Sequence, residues 1–410
     1  MKILMTNHSL RAHGGSEGFV AEVSTALRFL GHELAVFSVE GGPMAERLAA
    51  ADIVVVTDPR DCPFRPDVIH GQHHLETMAA LCAWPGVPAI YLAHGAAPWE
   101  EQPPRHPRIV RYLGTSPRFG PWIAEKCRVS AESVGVVPNF FDPRRFATVR
   151  PPIRCPGRAL VYHNAIEADG AVFSAISEAC RAENWSVEGI GTSFGRTIDS
   201  PERVLPEYDL VFAGGRSAIE AMACGCAVVP VTRTTLGALI RPDNFEAQQS
   251  VNFCAETTDP APGVESVRAI LTTVNPEDTT LVTRKIREEA TLDAVVERLV
   301  ESYQSAVIRH SESPPSRPET ELPFVADYLV EVNRMVKEIV RWRNELVIQK
   351  ESVRDEKDRA EQRAEKWKHR AEESAARLES IQQKMEGGPW WLARLWRKWR
   401  REWKNGSLKK

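Results

Sequence analysis

Two apolar patterns alternate along most of the chain: short compact runs, and stretches that follow the helical period. Lys2 to Thr6, Leu34 to Val39, Asp52 to Thr57, Asp67 to His70 and Pro88 to Ala93 read as buried strands, and Tyr112 to Ser116 as another. Between the first two, Phe19, Val20, Val23, Ala26, Leu27 and Leu30 share one helical face; Leu75 to Trp84 and Pro117 to Cys127 read as further helices. The alternation resumes at Arg158 to Tyr162 and continues through Val187 to Ile190, Leu210 to Ala213 and Ala227 to Val231. Helical segments then run from Pro276 to about Ile308. Strand and helix in alternation specify an α/β architecture with parallel sheets, and 410 residues call for more than one such unit. Two Rossmann-like domains are expected, residues 1–150 and 151–309, joined by the Pro- and Arg-rich segment Arg150 to Gly157.

Beyond His310 the pattern changes. Residues 310–323 are rich in Ser, Pro and Glu and read as a linker outside any packed core. Over 324–386 a heptad seam follows: Val325, Leu329, Val332, Val336, Ile339, Leu346, Val353, Ala360, Ala364, Trp367, Ala371, Leu378, Ile381 and Met385, with Arg343, Lys350, Lys357 and Ser374 at the remaining positions. A seam sustained that long predicts a coiled coil through which chains self-associate or bind a partner helix, and its basic positions favour a parallel dimer. After Gly387-Gly388, the tail of 387–410 sets Trp390, Trp391, Leu392, Leu395, Trp396, Trp399 and Trp403 at helical spacing among Arg and Lys. Such a helix suits the headgroup layer of an anionic membrane, here through residues 390–404. A nucleic-acid arm and a calmodulin-type partner helix are the competing readings.

Composition narrows the classes. A net charge of -3 gives no broad footprint for nucleic acid, and none is expected as a partner. The eight cysteines include no CxxC pair and read as reduced, buried thiols, consistent with a cytoplasmic location. MKILMTN reads as a strand and not as a signal peptide, and no apolar run approaches the roughly 20 residues needed to span a bilayer. The His70, His73 and His74 group lacks zinc-site spacing, so no metal is expected, and neither a P-loop lysine motif nor GxGxxG is present.

The densest chemistry lies in PEYDLVFAGGRSAIEAMACGCAVVPV, Pro206 to Val231. Gly214-Gly215 frees the backbone between a strand and a helix, Ser217 is placed to cap that helix, and Gly225 ends it. Such a turn aims free N–H groups and a helix dipole at the carboxyl edge of a parallel sheet, where phosphates bind. Arg216 adds positive charge, and Glu220 stands one turn in, able to accept from a ribose. Many α/β proteins have such a turn and no ligand, so the stretch alone leaves both readings open. Gly14-Gly15, before the first helix, repeats the device.

This stretch resembles the donor segment of the retaining GT-B glycosyltransferases, the superfamily of glycogen synthases and lipid mannosyltransferases. The resemblance implies a cleft between two Rossmann-like domains, with the ribose of a nucleotide-diphosphate sugar on Glu220, its phosphate or the acceptor near Gly14-Gly15, and His94 of His94-Gly95 at the transferring sugar. VGVVPNFFDPRRF, Val134 to Phe146, resembles the hinge-proximal motif, with Phe140 in place of the usual glycine. Two features depart from the family. The paired Arg and Lys that neutralise the leaving diphosphate are missing from VYHNAIEADGA, where Arg216, Arg196 and, more weakly, His163 are the candidate replacements, and Phe212 stands where the first acid of a pair belongs.

The resemblance implies sugar transfer from a nucleotide-diphosphate donor to a glycan or lipid-linked hydroxyl with retention, without metal or other cofactor, in cell-surface glycan assembly. A catalytically silent scaffold that recruits partner enzymes to the membrane is the alternative. A nucleotide-sugar epimerase of the same fold is a third, and it requires several cleft acids where only Glu220 is evident.

Overall fold

The computed structural model describes residues 1–11, 14–96, 98–152, 157–313, 317–386 and 389–404. It divides into two compact units, Met1–Val330 and Glu331–Lys410. The first holds two parallel sheets. Strands β1 (Lys2–Thr6), β2 (Glu33–Phe37), β3 (Val54–Val56), β4 (Val68–Gly71), β5 (Ala89–Ala93), β6 (Ile109–Gly114) and β7 (Gly135–Val136) form one sheet in the order β3-β2-β1-β4-β5-β6-β7. Strands β8 (Arg158–Tyr162), β9 (Ser186–Ile190), β10 (Leu210–Ala213) and β11 (Ala227–Pro230) form the other, in the order β11-β10-β8-β9.

Central strands are buried on both faces, which is why Ile3, Leu4 and Met5, or all of Ala89 to Ala93, are apolar without alternation. Helices α1 (Gly15–Phe29), α2 (Pro43–Ala50), α3 (His74–Ala83) and α4 (Gly120–Cys127) cover the first sheet. Around the second lie α5 (Ala171–Ala182), α6 (Pro201–Val204), α7 (Arg216–Ala223), α8 (Phe245–Ser250), α9 (Val264–Leu271) and α10 (Pro276–Glu289). The chain then recrosses: Phe141 N–H donates to the Ala290 carbonyl at 3.0 Å, and Leu292 N–H to the Phe141 carbonyl at 3.0 Å. Helix α11 (Leu292–Glu312) therefore returns to the first sheet, where Val295, Leu299 and Tyr303 join Phe19, Val23 and Leu27 in one core. Of the hinge-proximal motif only Gly135–Val136 is strand.

The segment expected to be an unpacked linker is partly structured. Helix α12 (Pro318–Glu386) already includes Pro323, which forfeits one backbone hydrogen bond in its second turn. Its Glu321 accepts from Arg108 Nε at 2.8 Å and Nη2 at 2.9 Å, and Arg108 is itself buried. Val325, expected at the head of the seam, packs with Tyr328 against the core of the first sheet. The cause lies in Arg108: its guanidinium sits among the carbonyls of Leu81, Trp84 and Val87, and a buried cation requires a carboxylate.

In the second unit α12 continues without a break to Glu386, with Val336, Ile339, Leu346, Val353, Leu378 and Ile381 exposed. Helix α13 (Trp390–Lys404) exposes Trp390, Trp391 and Leu395. No helix among the described residues is long and apolar enough to cross a membrane. Gly387-Gly388, residues 314–316 of the expected linker, residues 153–156 between the sheets, the end of the tail at 405–410, and the side chains of Met385, Leu392, Trp399 and Trp403 lie outside the described residues.

Candidate functional site

In the second sheet β8 lies between β9 and β10, so the chain leaves β8 in opposite directions at its carboxyl edge. That reversal opens a crevice where α/β sheets bind ligands. A cavity of about 370 Å³ occupies it, lined by Tyr162, His163 and Asn164 after β8, Gly191 and Thr192 after β9, and Arg216, Ser217 and Glu220 after β10. From the first sheet it is closed by Gly14 at the N-cap of α1, by Gly15, Gly18 and Glu22 of α1, and by Met44 and Arg47 of α2. The glycine pair, Arg216, Ser217 and Glu220 of the sequence reading thus meet in one space.

The turns differ from expectation in detail. Gly215, and not Ser217, is the N-cap of α7, at φ 58° and ψ -128°, a conformation essentially confined to glycine. Ser217 is instead inside the helix. Gly214 does not line the cavity. At the other end of α7, Gly225 at φ 90° closes a Schellman turn, with Gly225 N–H on the Met222 carbonyl at 3.0 Å and Cys226 N–H on that of Ala221 at 3.1 Å. On the first-sheet side Gly14 makes room for a side chain of its own helix: a Cβ there would lie 2.2 Å from Glu17 Oε2. Glu17 is buried at the N-terminus of α1 and accepts from Ser16 Oγ at 3.0 Å. Gly191 lets the His163 carbonyl approach, its Cβ position being 2.2 Å from that oxygen.

A charged cluster joins the two sheets across the cavity. Arg216 donates Nε to Glu220 at 3.0 Å and Nη2 to Glu22 of α1. Arg145 donates to Glu22 at 2.5 Å and to Glu202 at 2.9 Å. Glu22 is 3% exposed, Glu220 7% and Arg216 13%. Burial pushes the Glu220 carboxyl above its ordinary value, with Arg216 opposing. Burial works against the Arg216 charge as well, and Glu22 and Glu220 more than offset it, raising its pKa. Glu22 carries no local signature and Arg145 is legible only as part of the hinge-proximal motif, so sequence reasoning misses their pairing; only folding brings α1, the hinge and α7 together.

Two expected residues lie elsewhere. Arg196 is half-exposed, pairs with Glu188 at 2.6 Å and does not line the cavity, because the turn after β9 points it back along its own strand. His94 follows β5 and belongs to a polar cluster at the carboxyl edge of the first sheet. Its Nε2 is 2.5 Å from Gln72 Oε1, and its N–H donates to Glu101 at 2.9 Å. Burial holds its pKa down to about 4, against the pull of Glu101. His73 stands 3.5 Å from Glu101 and 3.2 Å from His8. The three clustered histidines diverge: His70 Nδ1 meets Tyr303 at 2.6 Å, and His74 Nδ1 meets Tyr328 at 2.7 Å. No group able to hold a metal occurs among the described residues. His163 does line the cavity; burial lowers its pKa, and its Nδ1 accepts from Ala165 N–H at 3.1 Å, so it supplies no cation at neutral pH.

No family model and no curated protein sequence matches the chain. Solved structures do match. A glycosyltransferase from Rickettsia africae superposes with a TM-score of 0.57 at 14% identity, covering 75% of this chain and 98% of its own. HepE of Anabaena, crystallised with UDP, gives 0.54 at 15% identity over 74% of this chain and 100% of its own. A putative UDP-N-acetylglucosamine 2-epimerase from Listeria monocytogenes gives 0.51 at 12% identity over 77% and 98%. The fold is therefore GT-B: two Rossmann-like domains with a cleft between them, carrying a long C-terminal helix.

Proposed function

We propose that this protein is a glycosyltransferase whose donor, a nucleotide-diphosphate sugar, occupies the cavity between the two sheets. The observation that carries the reading is the meeting of Glu220, on the helix that follows the Gly214-Gly215 turn, with Gly14-Gly15 around one cavity at the carboxyl edges of both sheets. HepE, which shares the fold, has been crystallised with UDP and with UDP-glucose, which supports the ligand class. In this reading Glu220 accepts from the ribose hydroxyls, and the phosphates lie toward the first-sheet side of the cavity, beside Gly14-Gly15. The transferring sugar extends beyond the cavity lining toward the carboxyl edge of the first sheet, where His94 orients it. The acceptor oxygen bonds to the anomeric carbon as the bond to the diphosphate oxygen breaks. The leaving diphosphate keeps the electron pair and takes the acceptor proton, with retention at the anomeric carbon. The acceptor is a lipid-linked or polysaccharide hydroxyl in bacterial surface-glycan assembly. The seam of α12 pairs chains, and α13 rests on the inner face of an anionic membrane.

A second reading has its own support. Both arginines nearest Glu220 are already held by carboxylates, the condition expected of a silent scaffold that only recruits partners. The test is calorimetric titration of the full chain with UDP, GDP, ADP and their sugar conjugates, beside Glu220→Ala. One nucleotide bound and lost in Glu220→Ala supports the enzyme; none bound by the folded protein supports the scaffold. Glu22 and Asp199 join Glu220 in the lining, so product analysis also checks for an epimerised nucleotide sugar, which would replace transfer by epimerisation. For the tail, co-sedimentation with anionic vesicles should fall in the Trp396 and Trp399 to Ala double variant, and undiminished binding removes α13 as the anchor.

A further inference from the structure

The cavity contains three arginines, and their environments differ. Arg216 is divided between Glu22 and Glu220, and Arg145 between Glu22 and Glu202. Asp199 adds a further carboxylate to the lining. Among the described residues, that part of the cavity has no positive charge left over. A diphosphate brought there would lose water without gaining a counter-charge, which is costly in a partly enclosed space.

Arg47 is placed differently. It lines the same cavity from α2 on the first-sheet side, is exposed, and has no carboxylate partner among the described residues. Its helix is held firmly against the loop that leads to Gly14-Gly15. Leu10 N–H donates to the Glu40 carbonyl at 2.8 Å and Met44 N–H to the Leu10 carbonyl at 3.2 Å. Gly42, just before α2, could not carry a Cβ, which would stand 2.7 Å from Arg11 Cα. The base of the Arg47 side chain is therefore fixed beside the cleft while its guanidinium remains free to turn. A planar guanidinium that forms paired hydrogen bonds with phosphate oxygens is suited to this task.

We propose that Arg47 is the diphosphate-binding cation of the donor site. The inference rests on the nucleotide-sugar reading above. It places the anion's counter-charge on the first domain and the ribose acceptor, Glu220, on the second, so that a bound diphosphate bridges the two. A nucleoside monophosphate ends before that contact, so Arg47 discriminates diphosphates from monophosphates.

The test is isothermal titration of the full chain, wild type, Arg47→Ala and Arg47→Lys, with UDP, GDP and ADP and with UMP, GMP and AMP. For the base that binds, Arg47→Ala should weaken the diphosphate roughly 10- to 100-fold, the range of one charged hydrogen-bonding contact. It should change the monophosphate by less than about threefold, and Lys should restore part of the loss. Because Arg47 is exposed, the urea midpoint should not move. Diphosphate affinity within threefold of wild type in Arg47→Ala overturns the assignment and leaves the donor site standing. Equal losses for monophosphate and diphosphate overturn it as well. If the wild type binds no diphosphate, the donor site fails and this inference fails with it.

Discussion

Replacing Arg216 with methionine keeps most of the aliphatic stem and removes the charge from the cluster that joins the sheets. Its guanidinium lies 5.0 Å from the Phe140 ring centroid and packs closely against α1 at Gly18, where a Cβ would stand 3.3 Å from Nη1. After the change Glu22 still has Arg145 at 2.5 Å, whereas Glu220 loses its ion pair while 7% exposed. An ionised carboxylate left in that state costs about 3–5 kcal/mol. Protonation sets a ceiling: from an ordinary value of 4.5, taking up a proton at pH 7.5 costs about 4 kcal/mol, and about 1.4 kcal/mol at pH 5.5. Burial already raises this carboxyl, and loss of Arg216 raises it further. A raised folded pKa leaves stability intact below the unfolded value and erodes it as pH rises toward the folded one. Arg216→Met should therefore lose about 3–4 kcal/mol at pH 7.5 and about 1–2 kcal/mol at pH 5.5. Urea unfolding followed by tryptophan fluorescence at both pH values reads this directly. Glu22→Gln is the control: it leaves Arg145 and Arg216 facing Glu202 and Glu220, a balanced set, and should cost less, about 1–2 kcal/mol. A loss under about 1 kcal/mol in Arg216→Met, or one equal at both pH values, refutes the picture of a buried, mutually paired cluster.

Glu321→Gln should leave the Arg108 guanidinium buried without its carboxylate, costing about 3–5 kcal/mol, and hydrogen exchange should show protection lost at residues 318–330 while β5 and β6 keep theirs. Gly225→Ala meets both a φ of 90° and a Cβ position 2.9 Å from Arg150 Cγ, so thermal denaturation should reveal a loss of about 1–3 kcal/mol. On the acid side, burial depresses His70 to about 3, and His94 and His106 to about 4, from an ordinary 6.5. Depressed values mean stability that is complete above pH 6.5 and falls as pH drops toward 4, by about 3 kcal/mol or more per histidine at the bottom of that window. Urea midpoints measured from pH 7.5 to 4.5 should follow that decline, and a flat profile would exclude it.

What the sequence discloses here is what local rules determine. The apolar runs mark β1, β8, β10 and β11 nearly to the residue, since a strand covered on both faces has no choice but to be apolar throughout. Gly225 is legible because a helix end at positive φ demands glycine. The cap of α7 is misjudged by two residues because a serine near a helix start is a common cap, while the backbone of Gly215 turns at φ 58° and takes that position itself. The docking of Glu321 is hidden for a different reason: its partner lies 213 residues away, and nothing in a Ser- and Pro-rich stretch announces a buried arginine elsewhere.

The same distinction governs the site. Residue types at the cleft can be read from the chain, but whether a charge is available depends on pairing, and pairing is tertiary. Arg216 looks like a phosphate ligand in sequence; in the fold it is the bond between α1 and α7. Gly14 looks like a phosphate-approach glycine, yet its missing Cβ accommodates Glu17, whose carboxylate already sits at the helix N-terminus where an anion would go. Both expected anion-binding devices are thus partly filled by the protein's own acids. In the proposed donor site, a diphosphate must either displace those acids or find its counter-charge on a cation without a carboxylate partner, and among the described residues Arg47 meets the second condition without breaking any contact the fold depends on.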